Sequence, residues 1–373
     1  MDRGKTLSRK RALVLAGGGI PGWMYEIGTL TALDDFFVDF SVNDFDIYVG
    51  TSAGATAAAL MASRLSPRTI YEAITLNQDS LLNFKRRDIY SFGYRETFEL
   101  VKRLVKSLLP IARHFLSPKH HFSVLDLVMM LEENLPSGIF TLQNLSRSLT
   151  YLLSQEGYTN DFRALEKELY IPAVDIDTGH YDVFGENEFS DVPISQAITA
   201  SSAMPILFQP IHIRGRDYID GGVSRVAHID IALNHGAELI WIINPVQYVV
   251  NDRRRAGLTS IAGQPVSIRE KGLWFVFDQA MRISTSTRLY LALKRYRNEY
   301  PNRSFFLVQP EPSEMRLFAH NAVSFDSRVE LLRCGYDSTV AMLTEHFEDY
   351  QRELKRYDIH VTLDRFRATS LQK

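Results

Sequence analysis

The pentapeptide Gly50-Thr51-Ser52-Ala53-Gly54 carries the residue types and spacing best suited to chemistry in this 373-residue chain. It follows the apolar run Ile47-Tyr48-Val49 and precedes the small-residue run Ala55-Thr56-Ala57-Ala58-Ala59-Leu60-Met61, so it reads as strand, sharp turn and helix. A G-x-S-x-G sequence in that setting is a nucleophile elbow. Gly50 and Gly54 serve the tight turn and the close approach of neighbouring backbone. Ser52 is thereby held at a helix N-terminus, where outward N–H groups favour developing negative charge. A plain loop has the same composition, so the reading depends on whether the chain also supplies a base and an oxyanion hole.

Gly17-Gly18-Gly19-Ile20-Pro21-Gly22 suits the oxyanion hole. The N–H groups of Gly17, Gly18 and Gly19 can converge where side chains would block them, and the loop opens a helix whose N-terminus adds to the field. A dinucleotide site is the competing reading. Against it stand the G-G-G-x-x-G spacing, the lack of an acidic ribose partner about 20 residues on, and the lack of a Walker lysine. For the base, His228, His235 and His320 follow the elbow, but none sits in a recognisable motif. Asp220 is better placed: it ends a strand, and Gly221-Gly222 leave its carboxylate uncrowded at the mouth of a sheet. A partly desolvated aspartate can have a raised pKa and take a serine proton directly. In isolation Asp-Gly-Gly would be a β-turn. No clustered His/Asp/Glu spacing suggests a metal, and the chemistry calls for no cofactor.

The elements that must position these residues follow from apolar patterning. Residues 12–16 form a continuous apolar run, as a strand covered on both faces does. A helix is expected from about Trp23 to Phe37, with Ile27, Leu30 and Leu33 on one face. Strand, glycine loop, helix, strand, elbow and helix within one short stretch imply βαβ units and a largely parallel sheet. From about 66 to 160 this alternation stops, and the segment reads as a helical cap insertion. Strands are expected again at 169–174, 181–184, 211–213, 217–219, 239–243 and 304–308, with short helices at 194–200 and 228–235 and a long one at about 267–298. A boundary is expected near Val250. The domain reading is a catalytic unit over 8–245 and a mostly helical extension over 251–373.

Composition bounds the rest. With 45% apolar residues a sizeable core is expected, and a net charge of -2 argues against a nucleic-acid partner. The single cysteine, Cys334, excludes an internal disulfide. No run of 18 apolar residues exists, and the five-residue run after the basic N-terminus is too short for a signal h-region, so a cytoplasmic chain is expected. Residues 85–121 hold nine Lys/Arg against three Asp/Glu, and residues 251–303 hold eleven against four. In the first, Tyr94, Phe98, Val101, Val105 and Leu108 share a helical face. The second bears Trp274, Phe277 and Met281 on one stripe. Basic charge beside aromatics fits peripheral attachment to an anionic membrane surface, and an ordinary amphipathic helix packed on a core has the same pattern.

Four blocks in order give a family resemblance: Gly17–Gly22, Gly50–Gly54, Ala200-Ser201-Ser202-Ala203-Met204-Pro205 and Asp220-Gly221-Gly222. Together they resemble the patatin-like phospholipases. The stretch from Phe277 to Tyr336 looks like the C-terminal part of a bacterial branch of that family. The resemblance implies a three-layer αβα sandwich around a mostly parallel sheet and lipid acyl hydrolysis by a Ser–Asp dyad. Ser52 becomes the nucleophile, Asp220 the base, and Gly17, Gly18 and Gly19 the oxyanion loop. Gly22, Gly50, Gly54, Gly221 and Gly222 support these motifs. The family usually has Arg or Lys where this chain has Pro21. The expected substrate is a phospholipid or another acyl lipid. A lipid transacylase using the same acyl-enzyme, and a catalytically silent lipid-binding protein of the same fold, are the alternatives. The sequence is compatible with a homo-oligomer and fixes no oligomeric state.

Overall fold

In a computed structural model of the chain the described residues are 9–91, 102, 136–225, 227–254, 257–260, 263–319, 325 and 327–366. The strands are β1 (Lys10–Leu15), β2 (Ile47–Gly50), β3 (Gly138–Phe140), β4 (Glu168–Asp175), β5 (Tyr181–Phe184), β6 (Ile206–Phe208), β7 (Ile211–Ile213), β8 (Arg216–Asp220), β9 (Ala237–Ile243) and β10 (Ser304–Val308). The main helices are α1 (Gly19–Phe36), α2 (Ala53–Ala62), α3 (Pro67–Thr75), α4 (Gln143–Leu153), α5 (Ile194–Ser201), α6 (Ile229–Asn234), α7 (Leu273–Glu299), α8 (Arg328–Glu345) and α9 (Phe347–Leu354).

The central sheet runs β10-β9-β1-β2-β4-β8-β7, with β5 also on β4. The pairings from β10 to β4 are parallel, and β5, β8 and β7 pair antiparallel. Side-chain alternation along the strands divides the core into two faces. Leu13 and Leu15 of β1, with Leu239, Trp241 and Ile243 of β9, pack among α1, α2, α5 and α8. Ala12, Val14, Ile240 and Ile242 pack on the other face against α6 and the Leu289–Tyr296 part of α7. Two helical layers around a mostly parallel sheet give the αβα sandwich that the resemblance implies. β10 is an edge strand of this sheet, and α8 and α9 join its larger core, so much of the segment after 251 is built into the same layers.

Register brings the chemistry together. Leu15 lies opposite both Gly50 and Ile243, and Ile243 opposite Val308, so four parallel strands end level. The glycine loop after β1, the elbow after β2 and the Asn244-Pro245 turn after β9 therefore emerge side by side. This is the strand end where open α/β sheets bind ligands. On the other side of β2, Val49 pairs with Tyr170 of β4. Counting on three residues brings Ala173 level with Ser52, and Ala173 is the partner of Asp220 on the antiparallel strand β8.

α1 begins at Gly19, four residues before the expected start. Pro21 falls in its first turn, where backbone N–H groups have no intrahelical partner, so the missing N–H costs no hydrogen bond. In the insertion, α3 and α4 are present, and β3 pairs in parallel with β6 in a separate two-stranded sheet. The residues expected on the amphipathic face, Tyr94, Phe98, Val101, Val105 and Leu108, lie outside the described residues. Among the described residues no helix is long and apolar enough to cross a membrane.

Candidate active site

Ser52 sits between the end of β2 and the start of α2 with φ 57 and ψ -131. A side chain at positive φ is strained by about 1–3 kcal/mol and needs surroundings that impose it. They are present. Thr51 N–H donates to the Leu15 carbonyl at 3.0 Å, and Gly54 N–H to the Thr51 carbonyl at 2.9 Å. Ser52 N–H donates to Ser201 Oγ at 2.9 Å, and that hydroxyl donates to the Pro172 carbonyl at 2.7 Å. The glycine at 54 is a steric requirement: a Cβ there would lie 2.6 Å from the Leu15 oxygen and 2.8 Å from the Gly17 nitrogen. Gly50 likewise backs onto the first turn of α2, and Gly22 onto the Gly17 carbonyl.

Asp220 closes β8 and is buried. Its N–H donates to the Ala203 carbonyl at 3.0 Å, and Gly222 N–H donates to its Oδ1 at 2.8 Å. The Ser52 side chain lies beside the Asp220 carboxylate and favours its ionised form. Burial pushes Asp220 up to about 6, against smaller lowering by the Ser52 side chain and the Gly222 N–H. It is thus mostly ionised at neutral pH and close enough to neutrality to exchange a proton. Gly221 packs over the Pro172 carbonyl, which leaves the turn no room for a side chain at that position.

His228 and His235, the described histidines among the three candidates, have partners other than Ser52 and Asp220. His228 is fully buried behind the Asp220–Gly222 turn, with Nε2 3.2 Å from the Gly221 carbonyl oxygen, and burial lowers it to about 4. His235 stacks on Tyr170 at 4.1 Å, with Nδ1 2.9 Å from the Tyr170 hydroxyl. His320 lies outside the described residues.

The glycine loop divides into two parts. Gly17, Gly18 and Gly19 all have positive φ. Gly17 is buried, and its N–H donates to Glu26 Oε1 at 2.8 Å, which turns it away from any substrate. Gly18 and Gly19 are half-buried, and no acceptor for their N–H groups is found among the described residues. Gly19 and Ser52 both line a cavity that is partly open to solvent. Its other walls are largely apolar, among them Ile20, Trp23, Phe84, Leu142, Leu145 and Phe208. The axes of α1 and α2 start at this cavity, so their N-terminal partial charges point at it. Among the described residues no group of three or more His, Cys, Asp or Glu side chains is arranged to hold a metal.

Two residues of this region escape the motif reading. Ser201 was visible only as part of a block. Glu26 had one signal, being the only charged residue between Arg11 and Asp34.

A mostly parallel α/β sheet thus carries a strained serine in the sharp turn after β2, with a glycine loop beside it. The chain belongs to the patatin-like phospholipase family, whose model matches residues 13–233. A relative named "Probable lipid hydrolase 463L", from Invertebrate iridescent virus 6, is 27% identical over 225 residues, which covers 60% of this chain and 64% of that protein. The match thus spans less than two thirds of the relative. Among solved structures, VipD from Legionella pneumophila aligns over 91% of this chain and 67% of its own, with 15% identity and a TM-score of 0.40.

Proposed function

We propose that this chain is a serine lipid acyl hydrolase of the phospholipase A or lysophospholipase type, working through an acyl-Ser52 intermediate with Asp220 as its base. The observation that carries the reading is the strained Ser52 at the wall of an apolar cavity, with the buried Asp220 carboxylate beside it. Ser52 Oγ attacks the ester carbonyl carbon while its proton passes to Asp220. The carbonyl oxygen becomes an oxyanion, which the Gly18 and Gly19 N–H groups and the N-terminus of α2 stabilise. Collapse breaks the bond to the alcohol, which leaves with the proton from Asp220. Water then attacks the acyl-Ser52 ester, Asp220 takes its proton, and the fatty acid departs as Ser52 regains the proton. The apolar walls supply the acyl chain with a surface away from water.

Access to a bilayer substrate needs a docking surface, and α7 is the proposed one. Its buried residues Arg282, Thr285, Leu289, Leu293 and Tyr296 recur on one arc. The opposite arc exposes Leu273, Val276, Phe277, Ile283, Tyr290 and Leu291. Exposed Arg269, Arg288 and Lys294 flank it, and basic charge around an apolar stripe complements an anionic lipid surface. Arg288 Nη1 donates to the Ser224 carbonyl at 2.8 Å, which ties α7 to the turn that follows Asp220.

Mass spectrometry of products from mixed phospholipid vesicles tests the activity. Free fatty acid with lysolipid is the expected result. Acyl groups moved to a lipid acceptor would make the chain a transacylase, and unchanged lipid would support the silent lipid-binding alternative.

A further inference from the structure

Glu26 is the ionisable group beneath the site that the serine–aspartate pair does not use. It lies in α1 with no exposed surface. Its side chain reaches back along the helix so that Oε1 accepts the Gly17 N–H at 2.8 Å. Oε2 has no partner among the described residues. A buried carboxyl with one oxygen unmatched is worse for stability than an apolar side chain of the same shape, so packing does not account for it. Its one bond falls where the loop meets the elbow. Gly17 nitrogen occupies the space left by the missing Cβ of Gly54, and a Cβ on Gly17 itself would sit 2.4 Å from the Thr51 oxygen. Whatever fixes Gly17 therefore fixes the glycine loop against Ser52.

We infer that Glu26 is a positioning residue for the anion-binding loop. Its carboxyl holds the Gly17 N–H inward so that the Gly18 and Gly19 N–H groups are presented to the carbonyl oxygen of an ester on Ser52. This rests on the reading of Ser52 as the nucleophile. Burial pushes Glu26 up to about 8, against a smaller lowering by the Gly17 bond. At neutral pH it is a neutral acid, with Oε1 as acceptor and the proton on Oε2, and adds no negative charge behind the oxyanion. Above that range it ionises and opposes the charge that the loop must stabilise. The titratable groups on the elements around it are Tyr25, Asp34 and Asp35 on α1, Arg68, Tyr71 and Glu72 on α3, and Arg328, Glu330, Arg333, Cys334, Tyr336, Asp337 and Glu345 on α8, with Asp220 at the end of β8. α2 has none, and none of those named contributes to the Glu26 shift.

Two substitutions separate positioning from packing. Glu26→Gln keeps an acceptor and stays neutral, whereas Glu26→Met keeps the length and removes the acceptor. The measurements are kcat and KM on a soluble ester from pH 6 to 10, the rate of fluorophosphonate labelling at Ser52, and thermal unfolding. Glu26→Met is expected to stay folded, with its unfolding temperature lowered by no more than one lost buried hydrogen bond accounts for, yet to lose about tenfold or more in kcat and labelling rate, with KM changed far less. Glu26→Gln is expected to keep kcat at pH 7 within about threefold and to lose the decline in rate that the unmodified protein shows above about pH 8. The inference is overturned if Glu26→Met keeps its kcat, or if it loses kcat only together with its fold while Glu26→Gln retains the parent pH profile. An unmodified protein that neither turns over ester nor labels at Ser52 overturns the nucleophile reading beneath it, a different failure visible before any variant is made.

Discussion

The Ser52 N–H donates to the Ser201 hydroxyl, and that hydroxyl donates in turn to the Pro172 carbonyl of β4. Two residues on, the Ala203 carbonyl accepts the Asp220 N–H. The C-terminal end of α5 thus braces both members of the candidate dyad. Ser201→Ala leaves the Ser52 N–H and the Pro172 oxygen buried without this partner, a cost of about 1–3 kcal/mol in unfolding free energy. Misplacement of the elbow should also lower kcat by roughly tenfold, since small displacements at a reacting centre are expensive. Denaturant unfolding and ester kinetics check this together. A variant as stable and as active as the parent would remove Ser201 from the support of the elbow.

Asp220→Asn should cut turnover by at least about 10²-fold, the scale of a lost general base. It should also stabilise the fold. Asp220 titrates near 3.8 when unfolded and at about 6 in the native protein, so the native state binds the proton more tightly between these values. Stability of the parent therefore falls as pH rises through that window, and the loss is complete above it. The Asn variant has no such loss and should be more stable above pH 6 by on the order of 1–3 kcal/mol, with the gap closing below about pH 4. In the parent the rate should rise with pH through about 6, as the base ionises. Replacing His228 or His235 should be milder in rate. A histidine variant as impaired as Asp220→Asn would point to a triad instead.

Binding to anionic vesicles should weaken as salt rises, because each engaged Lys or Arg contributes about 1 kcal/mol only within a Debye length of the surface. Leu273→Ser combined with Phe277→Ser, on the exposed arc of α7, should lower co-sedimentation with vesicles and spare hydrolysis of a soluble ester. Arg253→Glu with Arg254→Glu should act in the same direction through charge. Binding that is equal on neutral and anionic vesicles and indifferent to salt would dismiss electrostatic docking.

Local signals were the legible ones. The elbow is a strand–turn–helix written in five adjacent residues, and the edge strand 304–308 is an apolar run with the bounds it shows in the fold. Asp220 was readable only as the end of a strand before two glycines. That β8 runs antiparallel to β4 and ends level with Ser52 is a matter of pairing between distant segments, which no local pattern encodes. The start of α1 lies earlier than the sequence suggests because Gly19, Pro21 and Gly22 read as loop, whereas the first helical turn tolerates them. On α7 the aromatic stripe in the sequence runs through Trp274 and Phe277, but the helix buries a mixed face that includes Arg282 and Thr285. Arg282 is accepted there because Nε donates to Asp278 at 2.8 Å and Nη1 to the Gln247 carbonyl at 3.1 Å. The inward turn of the Gly17 N–H depends on a glutamate nine residues away, and in sequence that residue is one more charge on a helix.

The most direct test of the proposed nucleophile is active-site labelling with a fluorophosphonate, followed by peptide mapping. The parent protein should label once, on the peptide that carries Ser52. Ser52→Ala should neither label nor turn over ester while unfolding at a similar temperature. Labelling of the Ser52→Ala variant at the parent's rate would place the nucleophile elsewhere in the chain and contradict the Ser52–Asp220 mechanism.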